Sequence, residues 1–251
     1  MPRVSPGILS FPPFRGLTRQ LVLWNLGIYF VLTILGFASP GVVYNIASIF
    51  ALDPASVLHG RIWQIVTYAF VHAGASLGAI FGMTLEMLSL WFLGSMLEQM
   101  RGSRWMGELY FLSVIGAGLA AVVLGLFFSS AGLSFTGCYG ALFGFVIAFG
   151  VLYGDMEFMM IPFPFMIKAK YMAVVSLIVA LAMLFSVLHV FAFSELGGAL
   201  FGYLYIKFSP RRGFAVAGSE TVYGMRNRYY RWRRRRAAKK FEVYMRKHRD
   251  N

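Results

Sequence analysis

The sequence holds one cysteine, Cys138, so no disulfide can form within the chain. Charge is scarce as well: 13% of residues are Asp, Glu, Lys or Arg, about half the share of a soluble domain. Acids are the rarer sign, ten against 23 bases. A soluble globular domain is therefore excluded. The N-terminal stretch is Pro-rich and lacks both the unbroken apolar core and the small-residue cleavage site of a cleaved signal peptide. It reads as a cytoplasmic lead-in, residues 1–19, with the first apolar span acting as an uncleaved signal. Metal-ligand spacing is absent too, so neither a metal nor a cofactor is expected.

What is abundant is apolar: 59% of residues, with 25 Phe and 27 Gly. A bilayer core takes about 20 mostly apolar residues per helix. Six stretches qualify: 21–37, 77–97, 109–128, 135–153, 171–190 and 192–208. The chain is thus predicted to be an all-α membrane protein with a membrane domain over 20–208. About forty residues separate the first two spans. Their apolar pieces are too short to cross, so they read as a large outer loop carrying short interfacial helices. The segments 98–108 and 154–170 read as loops.

The charge is one-sided. From Lys207 onward there are 15 bases and three acids; residues 1–206 hold eight bases and seven acids. With the N-terminus in the cytoplasm, 22 of the 23 bases fall on that side and only Arg61 falls outside. This supports an even span count and two cytoplasmic termini, in the plasma (inner) membrane of a bacterium. The tail, residues 209–251, is read as a topology determinant and a contact for anionic lipid headgroups. Nucleic acid, the other reading of a basic tail, is set aside because this one adjoins a membrane span.

Small residues recur at helical spacing four in the last spans: Gly140 and Gly144 in the fourth, Gly198 and Gly202 in the sixth. They predict close packing of helix backbones. Around them lie four motifs in order. Gly60-Arg-Ile-Trp-Gln-Ile-Val-Thr-Tyr-Ala-Phe-Val-His72 is similar to W-R-x-x-T-x-x-F-x-H. Leu90-Trp-Phe-Leu-Gly-Ser-Met-Leu-Glu98, then Gly102-Ser-Arg, is similar to L-W-x-x-G-x-x-x-E then G-S-x-[KR]. Gly137-Cys-Tyr-Gly-Ala-Leu-Phe-Gly144 stands for G-x-S-G-A-x-x-G, and Glu195-Leu-Gly-Gly-Ala-Leu-Phe-Gly202 for H-L-G-G-A-x-x-G. Together they resemble the rhomboid superfamily of intramembrane serine proteases. The resemblance implies a six-transmembrane-helix rhomboid-like bundle.

The same resemblance marks departures. The family's nucleophilic Ser falls on Tyr139 and its base His on Glu195. Its two oxyanion-assisting positions on the second span fall on Gly82 and Glu86. The loop W-R is Trp63-Gln64. A phenol with a pKa near 10 is a poor nucleophile and a good leaving group. Without the oxyanion donors, such catalysis loses one of its main sources of transition-state stabilisation. A pseudoprotease is expected, with no catalytic residue. Glu86 and Glu195 are ionisable groups within spans, where such groups face a cavity or a partner. They are expected to converge with Tyr139, Tyr139 hydrogen-bonding Glu195, or else to be satisfied by local backbone or water. Tyr139, Glu195, Glu86 and Trp63 are the candidate binding residues, and transmembrane segments of client proteins the candidate partners. Two other readings remain open. One is an active intramembrane serine-type endopeptidase with displaced groups, drawn from Cys138, Ser134, Ser194, His59, His72 and His189. The other is a small transporter using Glu86 and Glu195.

Overall fold

The computed structural model describes residues 12–72, 74, 76–127, 134–159, 166–186, 189–209 and 231. The chain divides into two compact units, Met1–Ser209 and Pro210–Asn251. Apart from Ser209 and Arg231, the basic tail lies outside the described residues.

Six helices build the bundle: α1 (Gly16–Ala38), α5 (Leu77–Arg101), α6 (Ser103–Phe127), α7 (Tyr139–Leu152), α8 (Ala169–Met183) and α9 (His189–Phe208). Helices α1, α5 and α6 are each long and apolar enough to cross a membrane. The outer segment between α1 and α5 folds as α2 (Pro40–Phe50), α3 (Pro54–Leu58), α4 (Gln64–Thr67) and one 3-10 turn, Tyr68–Phe70.

Local chemistry sets the boundaries. Ser39 is extended and Pro40 opens α2, because the residue before proline avoids the helical region. Asp53 caps α3, accepting from the N–H groups of Ala55 (3.1 Å) and Ser56 (3.3 Å). The start of α1 is capped from a distance. Glu98 on α5 accepts from Leu17 N–H (2.8 Å), Thr18 N–H (2.9 Å) and the Thr18 hydroxyl (2.7 Å). Gly16, at φ +71°, leaves room for that carboxylate.

Two expected loops are largely structured. Of the segment 98–108, Gly102 alone interrupts the helices, at φ +89°, a conformation that suits glycine. The segment 154–170 carries an antiparallel pair, β1 (Glu157–Met159) and β2 (Met166–Lys168), and already includes the start of α8. Phe158 of β1 is buried edge-to-face on Phe149 of α7 at 4.9 Å, which anchors the hairpin under the bundle. Pro162 and Pro164, which make that segment read as loop, lie outside the described residues.

The fourth span also differs. The sequence places its start at 135, yet α7 begins at Tyr139. Phe135 exchanges backbone hydrogen bonds with Leu52 (2.9 and 3.0 Å), holding an irregular strip at the head of α7. At 14 residues, α7 is about 21 Å long, short of a bilayer core of about 30 Å. Irregular backbone at such depth is tolerated where protein buries it or a cavity lies beside it.

Helix α9 packs chiefly on α6 and α7. Its adjacent glycines face different neighbours. A Cβ on Gly197 would lie 2.7 Å from the Gly116 carbonyl of α6, and one on Gly198 2.7 Å from the Gly140 Cα of α7. One turn on, a Cβ on Gly202 would lie 2.8 Å from the Gly144 Cα. By contrast α8 sits on α7 and, less, on α9, and does not pack face to face with α5.

Gln64, fully buried, fastens the outer segment. Its amide donates to Ser48 O (3.2 Å) and Ile49 O (3.1 Å) and its carbonyl accepts from Asp53 N–H (3.2 Å). We expect Gln64→Leu to lower stability by about 2–3 kcal/mol, because it strands buried backbone groups. Thermal unfolding in detergent, with limited proteolysis of the α2–α3 connection, measures this.

Candidate functional site

The head of α7 is shaped by Gly137. At φ +93° it turns the chain, and its N–H donates to Tyr68 O and Val71 O, both at 3.0 Å. The turn points the next N–H, that of Cys138, inward. A Cβ on Gly137 would stand 2.9 Å from Glu86 Oε1, so the missing side chain also admits the Glu86 carboxylate. Glu86, on α5 and 3% exposed, accepts from the Cys138 N–H. Its other oxygen lies 3.0 Å from His72 Nε2. The cluster is thus Glu86 held between the His72 ring and the backbone next to Tyr139. The Tyr68 hydroxyl donates to Val114 O (2.9 Å), and burial, then the nearby Cys138 and Glu86, pushes its phenol up.

Tyr139 and Glu195 form no hydrogen bond with each other. The bridge expected between α7 and α9 is therefore replaced by the Glu86–Cys138 link between α5 and α7. The reason is the direction of the tyrosine. Its hydroxyl is the nearest group to a Cβ built on Gly82, at 4.0 Å, so the ring leans over α5. Gly82 lacks a side chain and Tyr139 supplies bulk beside it. Tyr139 remains 44% exposed and Glu195 is partly exposed. Along α7, Tyr139 and Val151 are exposed and the residues between them are buried or half-buried.

Trp63 is not part of this cluster. Its indole N–H donates to Ile49 O (3.0 Å), tying α4 to the end of α2. Of the alternative nucleophiles and bases, Cys138 and His72 both adjoin Glu86, while Ser194 and His59 are engaged elsewhere. Ser194 donates to Ala117 O (3.2 Å), and exposed His59 sits 2.7 Å from Ala55 O. Cys138 is fully buried, and the side chain of His189 lies outside the described residues. Among the described residues no group of three His, Cys, Asp or Glu side chains could hold a metal. His72, one of the alternative groups named from the sequence, is brought against Glu86. Its signal was an acid placed on a span at the position facing that loop histidine.

A family model for the Rhomboid domain matches residues 59–212, from the loop before α4 past the end of α9. RHOMBOID-like protein 1 of Arabidopsis thaliana is 35% identical over 158 residues, covering 61% of this chain and 36% of that protein. The chain therefore matches just over a third of that relative's length. The helices, their order and the matched segment agree: this multi-pass integral membrane protein belongs to the rhomboid superfamily.

Proposed function

We propose that the protein is a non-catalytic rhomboid that binds transmembrane segments of other membrane proteins at the surface beside Tyr139. One observation carries this reading: the Glu86 carboxylate accepts the Cys138 N–H. Acyl transfer needs open donors waiting for a developing oxyanion. Here a donor beside the nucleophile position is taken by a fixed anion, which would repel a second negative charge. The phenol of Tyr139 at that position supports the same conclusion. An aromatic side chain half exposed at the head of α7, with exposed Phe81 on the neighbouring α5, suits recognition of a helix arriving through the bilayer. Both termini are assigned to the cytoplasm from the charge asymmetry, with the basic tail on anionic headgroups of a bacterial plasma membrane.

The test is client capture. A photoreactive amino acid at Phe81, exposed on α5 beside Gly82, is expected to trap discrete membrane proteins. A model single-span substrate should be recovered uncut, and a serine-reactive fluorophosphonate should not label the protein. Cleavage of that substrate, lost on Tyr139→Phe or Glu195→Gln, would overturn the reading in favour of a displaced active site.

A further inference from the structure

A second feature lies on the other side of α1. Helix α2 folds back beside α1 and leaves a cavity of about 650 Å³ between Gly27, Val31 and Leu32 of α1 and Ile46, Ala47 and Phe50 of α2. Among the described residues of its lining, Thr67 and Trp24 carry the polar side-chain groups, and the Thr67 hydroxyl is spent on Phe50 O at 2.7 Å. A second cavity of about 380 Å³ shares Leu32 and Ala47 with the first and continues to Thr33, Tyr44, His72 and Gly74. His72 is 8% exposed, and its Nδ1 is buried with no hydrogen-bond partner among the described residues. Among the described residues, neither cavity is lined by Lys or Arg.

These observations narrow the occupant. One turn of helix with side chains fills about 500 Å³, from a diameter of about 10–12 Å and a 5.4 Å pitch, so the first cavity would take little more than one turn. An extended peptide would bring a row of backbone N–H and C=O groups with, at most, the Trp24 indole N–H to receive them. A hydrocarbon chain needs no partner and is far thinner. At the polar end, His72 Nε2 lies 3.0 Å from the Glu86 carboxylate, and the ring's Nδ1 donates or accepts according to the tautomer. A hydroxyl both donates and accepts, so it can partner Nδ1 in either state. An anionic headgroup would find no cation there and would sit close to Glu86.

We propose that the paired cavities form a site for a neutral single-chain amphiphile of the monoacylglycerol class. Its chain lies between α1 and α2, and its glycerol hydroxyls face His72. The proposal does not rest on client binding: it uses α1 and α2, whereas the client surface is placed beside Tyr139 of α7 and Phe81 of α5.

The experiment uses the full chain in phosphatidylcholine vesicles with a monoacylglycerol carrying a diazirine in its acyl chain. Labelling is expected to saturate and to map to residues 27–32 and 46–50. A fatty acid with the same diazirine chain should label about fivefold less, the worth of one hydrogen bond. Gly27→Leu should abolish the saturable labelling, since a side chain there meets nothing within 4 Å and enters the cavity without a clash. Its unfolding midpoint and its capture of clients at Phe81 should stay at wild-type values. Labelling that follows apolar exposure over all the helices would overturn the site, as would persistence in Gly27→Leu. Equal labelling by both probes would overturn the assigned headgroup.

Discussion

Gly198→Ala is expected to destabilise the bundle by about 3 kcal/mol, and Gly198→Val to prevent its accumulation in the membrane. Overpacking a well-filled core costs about 1–3 kcal/mol, with the upper end reached where neighbours cannot move aside. That is the case here. The atoms that a Cβ on Gly198 would meet are the Gly140 carbonyl, its Cα at 2.7 Å and its carbonyl carbon at 2.8 Å. All belong to the α7 backbone, so no rotamer change relieves the contact. Helix α9 would have to step away from α7, and dispersion contacts along the whole seam would weaken together. Gly202→Ala should act similarly, with the Gly144 Cα at 2.8 Å. Gly78→Ala on α5 is the control, because a Cβ there meets nothing within 4 Å. Alanine is the better helix former, so this variant should match or slightly exceed wild type. Unfolding midpoints in detergent compare all three. A Gly198→Ala protein as stable as Gly78→Ala would disprove direct backbone contact between α7 and α9.

The second large effect is at Glu86. Glu86→Leu should cost about 3–5 kcal/mol, the usual penalty for removing one partner of a buried pair. It leaves both the Cys138 N–H and the His72 ring without an acceptor, at a site where the carboxylate is 3% exposed. Glu86→Gln should cost only about 1 kcal/mol, because its carbonyl can still accept from Cys138 while its amide donates to His72 Nε2 in the other tautomer. Combining Glu86→Leu with His72→Leu should recover part of the loss, since one of the two stranded groups is removed as well. A double-mutant cycle on unfolding free energies measures the coupling. Strict additivity would mean that His72 and Glu86 do not support each other.

The two sites differed in how readable they were. Gly140, Gly144, Gly198 and Gly202 could be singled out because spacing four places residues on one helix face regardless of the neighbour. Which helix each glycine meets was not readable. Gly197 and Gly198 are consecutive, and the turn of about 100° between them sends one to α6 and the other to α7. Glu86 stood out as an acid within a span. Its partners did not, because Cys138 lies 52 positions away and donates through its backbone, which carries no residue signature. The Tyr139–Glu195 pairing followed from chemistry alone and failed on direction, since the ring leans over Gly82 of α5.

By itself the sequence determined the membrane environment, the number and order of the bundle helices, and the family, through apolar length and four ordered motifs. Those signals are local or additive along the chain. Tertiary structure decided the start of α7, the hairpin inside an expected loop, the tie made by Gln64, and the hold of His72 and Cys138 on Glu86. Each depends on a turn angle or on a group distant in sequence, and a short chain segment cannot encode where such a distant partner arrives.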